Sequence, residues 1–293
     1  MNTTIKLTAL GAIALAVSST AALAYSEMPA GITTGIALGA PLPEGIYDIS
    51  VASYGSRTNG NENQNIAYAL PVWLIWSTPW QIAGGRIALD TTTGVADAWS
   101  PGWGPGADSW LNTLVEGSIA WNLGHGWNAS IRAGMWLPST QTVPMALGRD
   151  YAAFQGGGSI SYLANGWNLT ATALYGQGRH SYNSMGAQQA DWLNLDLTAT
   201  KKFGKMEIGA IAYGSWDLND HIYNGTSYPF GTSSRQSQFA AGGLVGYDFG
   251  SFVAQAKLAT DVAATDMYPG KETRGTLTII KPLWNPESDG PLK

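Results

Sequence analysis

Hydrophobic and polar residues alternate on both sides of the tripeptide Gly124–Gly126. Apolar side chains occupy alternate positions before it, as at Ile119 and Trp121, and again after it from Trp127 to Leu137. Polar residues such as Arg132 fill the positions between them. A period of two indicates a strand with two different faces, and the Gly-His-Gly break indicates a hairpin. The apolar face therefore has to meet either a protein core or another apolar solvent.

The same alternation recurs along the chain and predicts twelve strands. The most apolar stretch, Ile66–Trp76, is shorter than the roughly 20 residues that a membrane-spanning helix needs. Pro71 lies in its middle, and because proline cannot donate a ladder hydrogen bond we expect a β-bulge there. The predicted strands are 46–54, 66–77, 85–92, 110–122, 127–137, 152–162, 167–176, 192–202, 206–216, 237–248, 252–262 and 273–284.

The connections between these strands alternate in length. Long connections such as Gly55–Asn65 and Asp217–Gln236 alternate with short ones such as Ser77–Gly84 and Lys202–Lys205. An even number of strands with short turns at one end and long loops at the other is typical of outer-membrane barrels. We therefore expect an all-β fold, a closed antiparallel transmembrane β-barrel of 12 strands with short periplasmic turns and long extracellular loops.

Aromatic residues near both ends of the predicted strands support this expectation. Aromatic side chains collect at the two membrane–water boundaries, and a closed barrel satisfies all its backbone hydrogen bonds in lipid. The alternative, a soluble β-sandwich, explains neither these two bands nor the loop asymmetry. Near the short turns lie Tyr47, Trp76, Trp80, Trp121, Trp127, Tyr162, Trp167, Phe203, Tyr247, Phe249, Phe252 and Trp284, and near the long loops lie Tyr54, Trp110, Trp136, Tyr151, Tyr175, Trp192, Trp216 and Phe239.

The chain begins with a predicted signal peptide, residues 1–24. Lys6, the apolar run LTALGAIALAV and an Ala-x-Ala site ending at Ala24 have the required order. Residues 25–45 are then an N-terminal periplasmic or plug segment, 46–284 the barrel and 285–293 a C-terminal tail. We expect export to the cell outer membrane, with outer-membrane lipid as the surroundings and the barrel-assembly machinery as a partner during biogenesis.

Composition narrows the possible chemistry. The absence of cysteine excludes disulfides and thiolate metal sites, and a net charge of −5 argues against nucleic acid as a partner. Only 12% of residues are charged, against about 25% in an average soluble domain. We predict no catalytic residues, no metal site and no cofactor.

Several blocks of sequence resemble the MetA-pathway phenol-degradation proteins. Among them are PLPEGIYDISVASYGS, PVWLIWSTPWQIAGGRIAL, DYAAFQGGGSISYLANGWNLTATALY and FAAGGLVGYDFGSFVAQAKL, in order between Pro41 and Trp284. The resemblance implies an outer-membrane barrel of transporter type, associated with the catabolism of aromatic compounds. It brings no catalytic residues with it.

The inward face carries charges of both signs, which lie at membrane depth only where they face an interior. They either brace a narrow barrel as paired networks or line a permeation path. Inward apolar residues, Trp73, Ile75, Leu174, Ile211 and Tyr213, indicate either apolar cargo or packing against the segment Ser26–Pro43. The candidate residues of a solute path are Arg86, Glu116, Arg132, Asn194, Asp196, Tyr213, Lys257, Arg274 and Trp73.

The function predicted from these features is passage or binding of small hydrophobic or aromatic solutes, without covalent chemistry. One alternative is an outer-membrane hydrolase with loop residues around His180 or His221, and another is a structural or adhesion barrel. His180 and Ser181 are adjacent and would point to opposite faces of a strand. For His221 a solvated loop position is the favoured interpretation, although Asp217 is within reach of it.

Overall fold

The computed structural model describes residues 26–60, 62–99, 109–138, 152–177, 187–188, 190–223, 226–227, 235–267 and 269–286. The predicted signal peptide, His180 and most of the predicted tail lie outside these residues. The long strands are β1 (Gly45–Asn59), β2 (Glu62–Ile82), β3 (Gly85–Trp99), β4 (Thr113–Gly124), β5 (Trp127–Leu137), β6 (Ala153–Ala164), β7 (Trp167–Gln177), β8 (Trp192–Phe203), β9 (Met206–Asp217), β10 (Ser237–Asp248), β11 (Val253–Thr265) and β12 (Glu272–Trp284). Two-residue strands at Ser109–Trp110, Ala187–Gln188, Ile222–Tyr223 and Thr226–Ser227 belong to the connections.

Each strand pairs antiparallel with its neighbours, and β1 pairs with both β2 and β12. The β1–β12 ladder runs from Ile46 opposite Trp284 to Arg57 opposite Glu272, which closes the sheet. The predicted closed, all-β, twelve-stranded antiparallel barrel is confirmed. No helix among the described residues is long and apolar enough to cross a bilayer.

Three of the short connections are two-residue turns that differ only in their first residue. Ala83, His125 and Asn165 have φ of 50°, 53° and 53°, and the glycine after each also has a positive φ. Two successive residues with positive φ form the type I′ turn, whose twist matches that of an antiparallel hairpin. In each of the three turns the sequence has glycine at the second position, where a positive φ is required.

The first hairpin is longer than the sequence predicted. Strands β1 and β2 stay paired as far as Asn59 and Glu62, so the long loop expected at Gly55–Asn65 is wrong. Arg57 and Gln64 face each other in this ladder and both side chains are buried. The segment looked like a loop because it is rich in Asn, Gly and Gln, and the pairing across the hairpin outweighs that composition.

The bulge expected at Pro71 is present. The β1–β2 register shifts between Asp48 and Val51, and the β2–β3 register shifts between Ala69 and Val72. One extra residue on β2 leaves Pro71 and Val72 both facing outward. Because the alternation shifts at the bulge, the Trp73 side chain points into the barrel, where it is fully buried.

The outer surface is apolar over the middle of the strands. Val115, Ile131, Ile208, Leu258 and Leu277 are among the exposed side chains. Exposed aromatic residues lie toward the strand ends, among them Trp80, Trp127, Trp167, Phe203, Phe249 and Trp284 at the short turns and Tyr54, Trp110 and Tyr175 at the long loops. Such a band with flanking aromatic rings is the lipid-facing surface of an outer-membrane barrel.

Three aromatic residues assigned to the outer bands lie inside instead. Trp136 and Trp192 are almost fully buried, and Tyr47 donates a hydrogen bond to the Pro43 carbonyl. Trp136 lies opposite Leu114, a buried position, and Trp192 shares its face of β8 with Asn194. Strand alternation therefore decides their direction, and closeness to a strand end does not.

Candidate solute path in the barrel lumen

Residues 26–43, here called the lumen segment, occupy the interior of the barrel. The Asp196 carboxylate on β8 accepts hydrogen bonds from the backbone N–H groups of Gly31 and Thr33, at 2.9 and 3.0 Å, and from the Thr33 hydroxyl at 2.7 Å. Lys257 Nζ on β11 donates to the Thr34 carbonyl at 2.7 Å. Two of the predicted path residues thus bind the lumen segment from different parts of the wall.

Further contacts fix the course of the lumen segment along the barrel axis. Asn194, near the long-loop end of β8, donates to the Met28 carbonyl at 2.7 Å. Ser130 and Ser77, near the short turns, donate to the carbonyls of Leu38 and Leu42 at 2.8 and 2.9 Å. The segment therefore runs from the long-loop half of the lumen to the short-turn end, where it enters β1.

The Tyr213 ring packs closely against Gly31 of the lumen segment. A Cβ atom on Gly31 would lie 2.5 Å from Cδ1 of the Tyr213 ring, and Gly31 has a φ of +82°. A side chain at position 31 would therefore meet both a steric clash and an unfavourable backbone conformation. Tyr213 belongs to the predicted set and packs here in a small apolar cluster with Ile211 and Ala30.

The inward apolar residues pack largely against the lumen segment. Met28, Ile32 and Ile36 share one buried cluster with Trp73, Leu174 and other wall residues from several strands. Of the two interpretations left open by the sequence, packing against the N-terminal segment accounts for most of these positions. The Ile75 side chain, like that of Trp73, also faces the remaining free space of the lumen.

Glu116 and Arg132 form a buried ion pair, with Arg132 Nη1 2.8 Å from Glu116 Oε2. Gln155 Nε2 donates to the other oxygen of Glu116 at 2.8 Å, and the Trp136 indole N–H donates to Gln155 Oε1 at 3.0 Å. On the neighbouring strand β3, Asp90 accepts a hydrogen bond of 2.9 Å from the Trp73 indole N–H. Charged groups inside a barrel are stabilised by such pairing.

A second ionic cluster lies in the long-loop half of the barrel. Arg274 contacts both oxygens of Glu272, at 2.6 and 2.8 Å, and its guanidinium lies 4.9 Å from the centre of the Tyr68 ring. Arg57 adds ion pairs of 3.4 Å with Glu272 and 3.5 Å with Asp261. Arg57 is absent from the residues predicted from the sequence, because this part of the first hairpin has the composition of a loop.

Free space remains between the lumen segment and the wall at the short-turn end. This cavity has a volume of about 590 Å³ and is lined by apolar side chains of the segment and of strands β1–β3. Its polar lining includes Arg86, whose Nη1 donates to the Thr78 carbonyl at 3.0 Å, and also Asp90 and Arg132. The apolar lining includes Ile36, Leu38, Leu42, Tyr47, Ile49, Trp73, Ile75 and Ile280.

The predicted path residues therefore fall into separate groups. Arg86, Arg132 and Trp73 line the cavity, and Glu116 supports Arg132 from behind. Asn194, Asp196, Tyr213 and Lys257 contact the lumen segment. Arg274 belongs to the ionic cluster in the long-loop half. The fold does not bring all nine into one continuous wall.

His221 is buried, so the solvated loop position favoured from the sequence is wrong. Its Nε2 lies 2.8 Å from Asp217 Oδ2, and its Nδ1 accepts the backbone N–H of Ala190 at 3.1 Å. An Nδ1 atom that accepts a hydrogen bond is unprotonated, so Nε2 carries the proton and donates it to Asp217. Both ring nitrogens are committed, and neither is available to activate a nucleophile.

Comparison with known protein families shows to which family the chain belongs. A sequence profile of the family described as "Putative MetA-pathway of phenol degradation" matches residues 51–274, most of the barrel. The chain belongs to this family. The match confirms the resemblance drawn from the quoted blocks. No curated protein matches the chain.

Three solved structures illustrate what this family member is similar to. The COG4313 outer membrane channel from Pseudomonas putida F1 aligns with a TM-score of 0.67 at 12% identity, covering 83% of this chain and 97% of that one. The NanC porin gives 0.45 at 9% identity, covering 80% and 98%. Outer membrane phospholipase A from Escherichia coli gives 0.39 at 11%, covering 83% and 97%. The first of these likenesses shows a shared barrel fold, and with its apolar outer band the family member is an outer-membrane barrel.

Proposed function

We propose that this barrel binds and passes small hydrophobic or aromatic solutes across the outer membrane, without covalent chemistry. The observation that carries the proposal is the cavity of about 590 Å³ at the short-turn end, with its largely apolar lining. Binding sites for small molecules are commonly 300–1,000 Å³ and mostly apolar, with a few polar groups that orient the ligand. A polar sugar or a hydrated ion would leave most of this lining unused.

The lumen segment acts in this proposal as a closure that moves or loosens when solute passes. It fills the centre of the barrel, and many of its contacts are hydrogen bonds to side chains of the wall. Wall-to-segment bonds can break without breaking the strand ladders, because the ladders are made by backbone groups. The barrel can therefore stay folded while the segment shifts.

A binding measurement tests the proposal. The full-length protein in lipid nanodiscs is titrated with 4-methylphenol by calorimetry, with empty nanodiscs subtracted, and glucose serves as the polar comparison. The variant Ala88→Phe fills the cavity from β3, and Leu89→Phe, on the lipid-facing side of the same strand, is its matched control. We expect binding of the aromatic compound that Ala88→Phe abolishes and Leu89→Phe retains. Equal binding to both variants would contradict the proposal.

A further inference from the structure

A groove crosses the lipid-facing surface of the barrel over strands β7–β10. Its floor consists of small side chains on neighbouring strands, since Ala199 on β8 lies opposite Ala210 on β9. In the next row Ala212 on β9 lies opposite Ala241 on β10. The larger side chain of Leu169, on β7 opposite Ala199, forms one edge. This outer groove encloses about 480 Å³, and its lining is almost entirely apolar.

Large side chains cover the middle of other strands on the same lipid-facing surface. Ile119 on β4 lies opposite Ile131 on β5, and Val115 lies opposite Met135. Strands in a sheet keep a nearly constant spacing, so methyl groups at such positions leave a depression. Atoms that line an empty depression lose dispersion contacts, and a hydrocarbon chain lying in it restores them. The outer groove therefore favours an extended apolar ligand.

Lys201 lies at the short-turn end of the outer groove. It follows Ala199 by two residues on the same outward face of β8, about 7 Å along the strand. Its neighbours in the ladders are Trp167 and Ile208. Its Nζ atom lies 5.1 Å from the centre of the Trp167 ring and 5.7 Å from that of the Phe203 ring. The ammonium group is therefore at the level of the aromatic band, where lipid head groups lie.

The charge of Lys201 is not balanced by a carboxylate among the residues that the structure describes. The acidic residues nearest to it along the chain, Asp196 and Glu207, both point into the barrel and are bound there. Another outward lysine near the short turns, Lys281 on β12, differs because it lies opposite Asp48. An anion placed beside Lys201 would therefore gain an attraction that the protein itself does not supply.

Two further exposed lysines, Lys202 and Lys205, lie at the end of the same hairpin. Lys205 is adjacent to Asp248 of the next turn, whose backbone N–H donates to its carbonyl at 2.9 Å. Lys202 adds to the positive potential around Lys201. This end of the outer groove is thus complementary to a negatively charged head group.

We propose that the outer groove and Lys201 together bind one anionic phospholipid of the periplasmic leaflet. Its phosphate contacts the Lys201 ammonium at the level of Trp167, and one of its acyl chains lies on the alanine floor. The periplasmic leaflet follows from the position of Lys201 at the short turns. The inference concerns the outer wall of the barrel and is independent of the solute path in the lumen.

Native mass spectrometry of the full-length protein in detergent tests the head-group contact. Phosphatidylglycerol is titrated against phosphatidylcholine with the same acyl chains, and we expect one phosphatidylglycerol to be retained preferentially. Lys201→Gln should weaken its binding about fivefold, which corresponds to about 1 kcal/mol for one lysine near an anionic surface. Lys281→Gln is the matched control and should leave the binding unchanged, because this lysine lies away from the groove.

A second pair of variants tests the acyl-chain contact. Ala210→Phe fills the floor of the groove, and we expect it to reduce the binding of both lipids at least fivefold. Its control is Ala256→Phe, an outward position on β11 that lies opposite Val245 and Leu277, outside the groove. Heat-modifiable migration first shows that each variant is folded.

Each outcome supports or overturns the lipid site. If the wild type retains no lipid, or if Lys201→Gln and Ala210→Phe bind phosphatidylglycerol as the wild type does, the proposal fails. Binding that is weakened by Lys201→Gln but kept in Ala210→Phe would overturn the role of the groove. A lipid-free dimer of the wild type that Ala210→Phe converts to monomer would also overturn the proposal and would assign the groove to a second copy of the chain.

Discussion

Thr33 donates two hydrogen bonds to a single carboxylate oxygen of Asp196, from its backbone N–H at 3.0 Å and from its hydroxyl at 2.7 Å. These residues are 163 positions apart in the chain. The bonds join the lumen segment to the middle of β8, and Gly31 adds a third bond to the other oxygen of the same carboxylate. Asp196 is therefore a principal anchor of the lumen segment on the barrel wall.

Replacing Asp196 should loosen the lumen segment. In Asp196→Ala three hydrogen bonds to a charged group are lost, each worth about 1.5–3 kcal/mol, while the backbone ladder of β8 is unchanged. We expect more frequent open events in planar-bilayer recordings than in the wild type. The control is Asp248→Asn in a short turn, where the carboxylate bonds only locally to Gly250. Identical recordings for Asp196→Ala and the wild type would argue against a closing role for these bonds.

Gly176 and Trp192 pack in direct contact between neighbouring strands. A Cβ atom on Gly176 would overlap the Trp192 indole, which is almost fully buried. Overpacking of this kind costs about 1–3 kcal/mol. Gly176→Ala should therefore lower the free energy of unfolding in lipid vesicles, measured by urea denaturation.

A second substitution, Trp192→Leu, tests whether contact with the indole causes the loss of unfolding free energy in Gly176→Ala. In the background Trp192→Leu the indole is absent, so Gly176→Ala should cost markedly less there. Gly117 supplies the control Gly117→Ala, because a methyl group at this position would lie at an ordinary contact distance of 3.6 Å from Leu89. A cost for Gly176→Ala that is the same in both backgrounds would show that the indole contact is not responsible.

The barrel itself was predictable because its pattern is local. Alternation along each strand separates the inward set, including Glu116 and Arg132, from the lipid-facing set, including Val115 and Ile131, and both sets are observed. The bulge at Pro71 was predictable for the same reason, since proline cannot join the ladder. The ends of β1 and β2 were not predictable in this way, because polar side chains such as Arg57 are buried by partners far away in the chain.

The ion pair between Glu272 and Arg274 should be more important for stability than an exposed pair. Removing one partner of a buried pair costs about 3–5 kcal/mol, because the other charge is left uncompensated. Glu272→Gln leaves two guanidinium groups, those of Arg274 and Arg57, without this carboxylate. Urea unfolding in vesicles should show a large loss of stability.

The exposed pair Arg235–Asp220 is the control for this prediction. Its side chains are 54% and 40% exposed, and such pairs contribute about 0–1 kcal/mol. Asp220→Asn should therefore change the free energy of unfolding little. Equal losses for Glu272→Gln and Asp220→Asn would contradict the structural role given to the buried cluster.

His221 and Asp217 are predicted to hold the base of the loop after β9. Asp217 also accepts the backbone N–H of Gln236, and His221 accepts that of Ala190, so the pair joins three parts of the chain. His221→Ala should make this loop more sensitive to limited proteolysis, and Asp217→Ala should do the same. The double variant should be worse than either single one, because Asp217→Ala also loses the bond to Gln236 and His221→Ala the bond to Ala190. Its effect should be smaller than the sum of the two, because both single variants already lose the bond between the two side chains. A wild-type hydrolytic activity on lipid or peptide that His221→Ala abolishes, with unchanged proteolysis, would contradict this role.

The contents of the lumen could be predicted only in part. Inward positions such as Asp196 and Lys257 follow from alternation, but their partners are backbone groups of a segment that precedes the first strand. That segment is short, uncharged between Met28 and Pro43, and without period-two alternation. Its position depends on contacts across the barrel, so the sequence left open whether it enters the lumen or lies in the periplasm. The burial of His221 has the same cause, since its partner Ala190 belongs to another connection.

The most direct test of closure by the lumen segment is the single-channel conductance of a variant that lacks residues 26–40. The strands begin at Gly45, so the deletion leaves every barrel ladder intact. After heat-modifiable migration confirms folding, wild type and variant are recorded side by side in planar bilayers. We expect a steady conductance in the variant that is several times that of the wild type. A folded variant with the same conductance as the wild type would contradict the claim that the lumen segment closes the path.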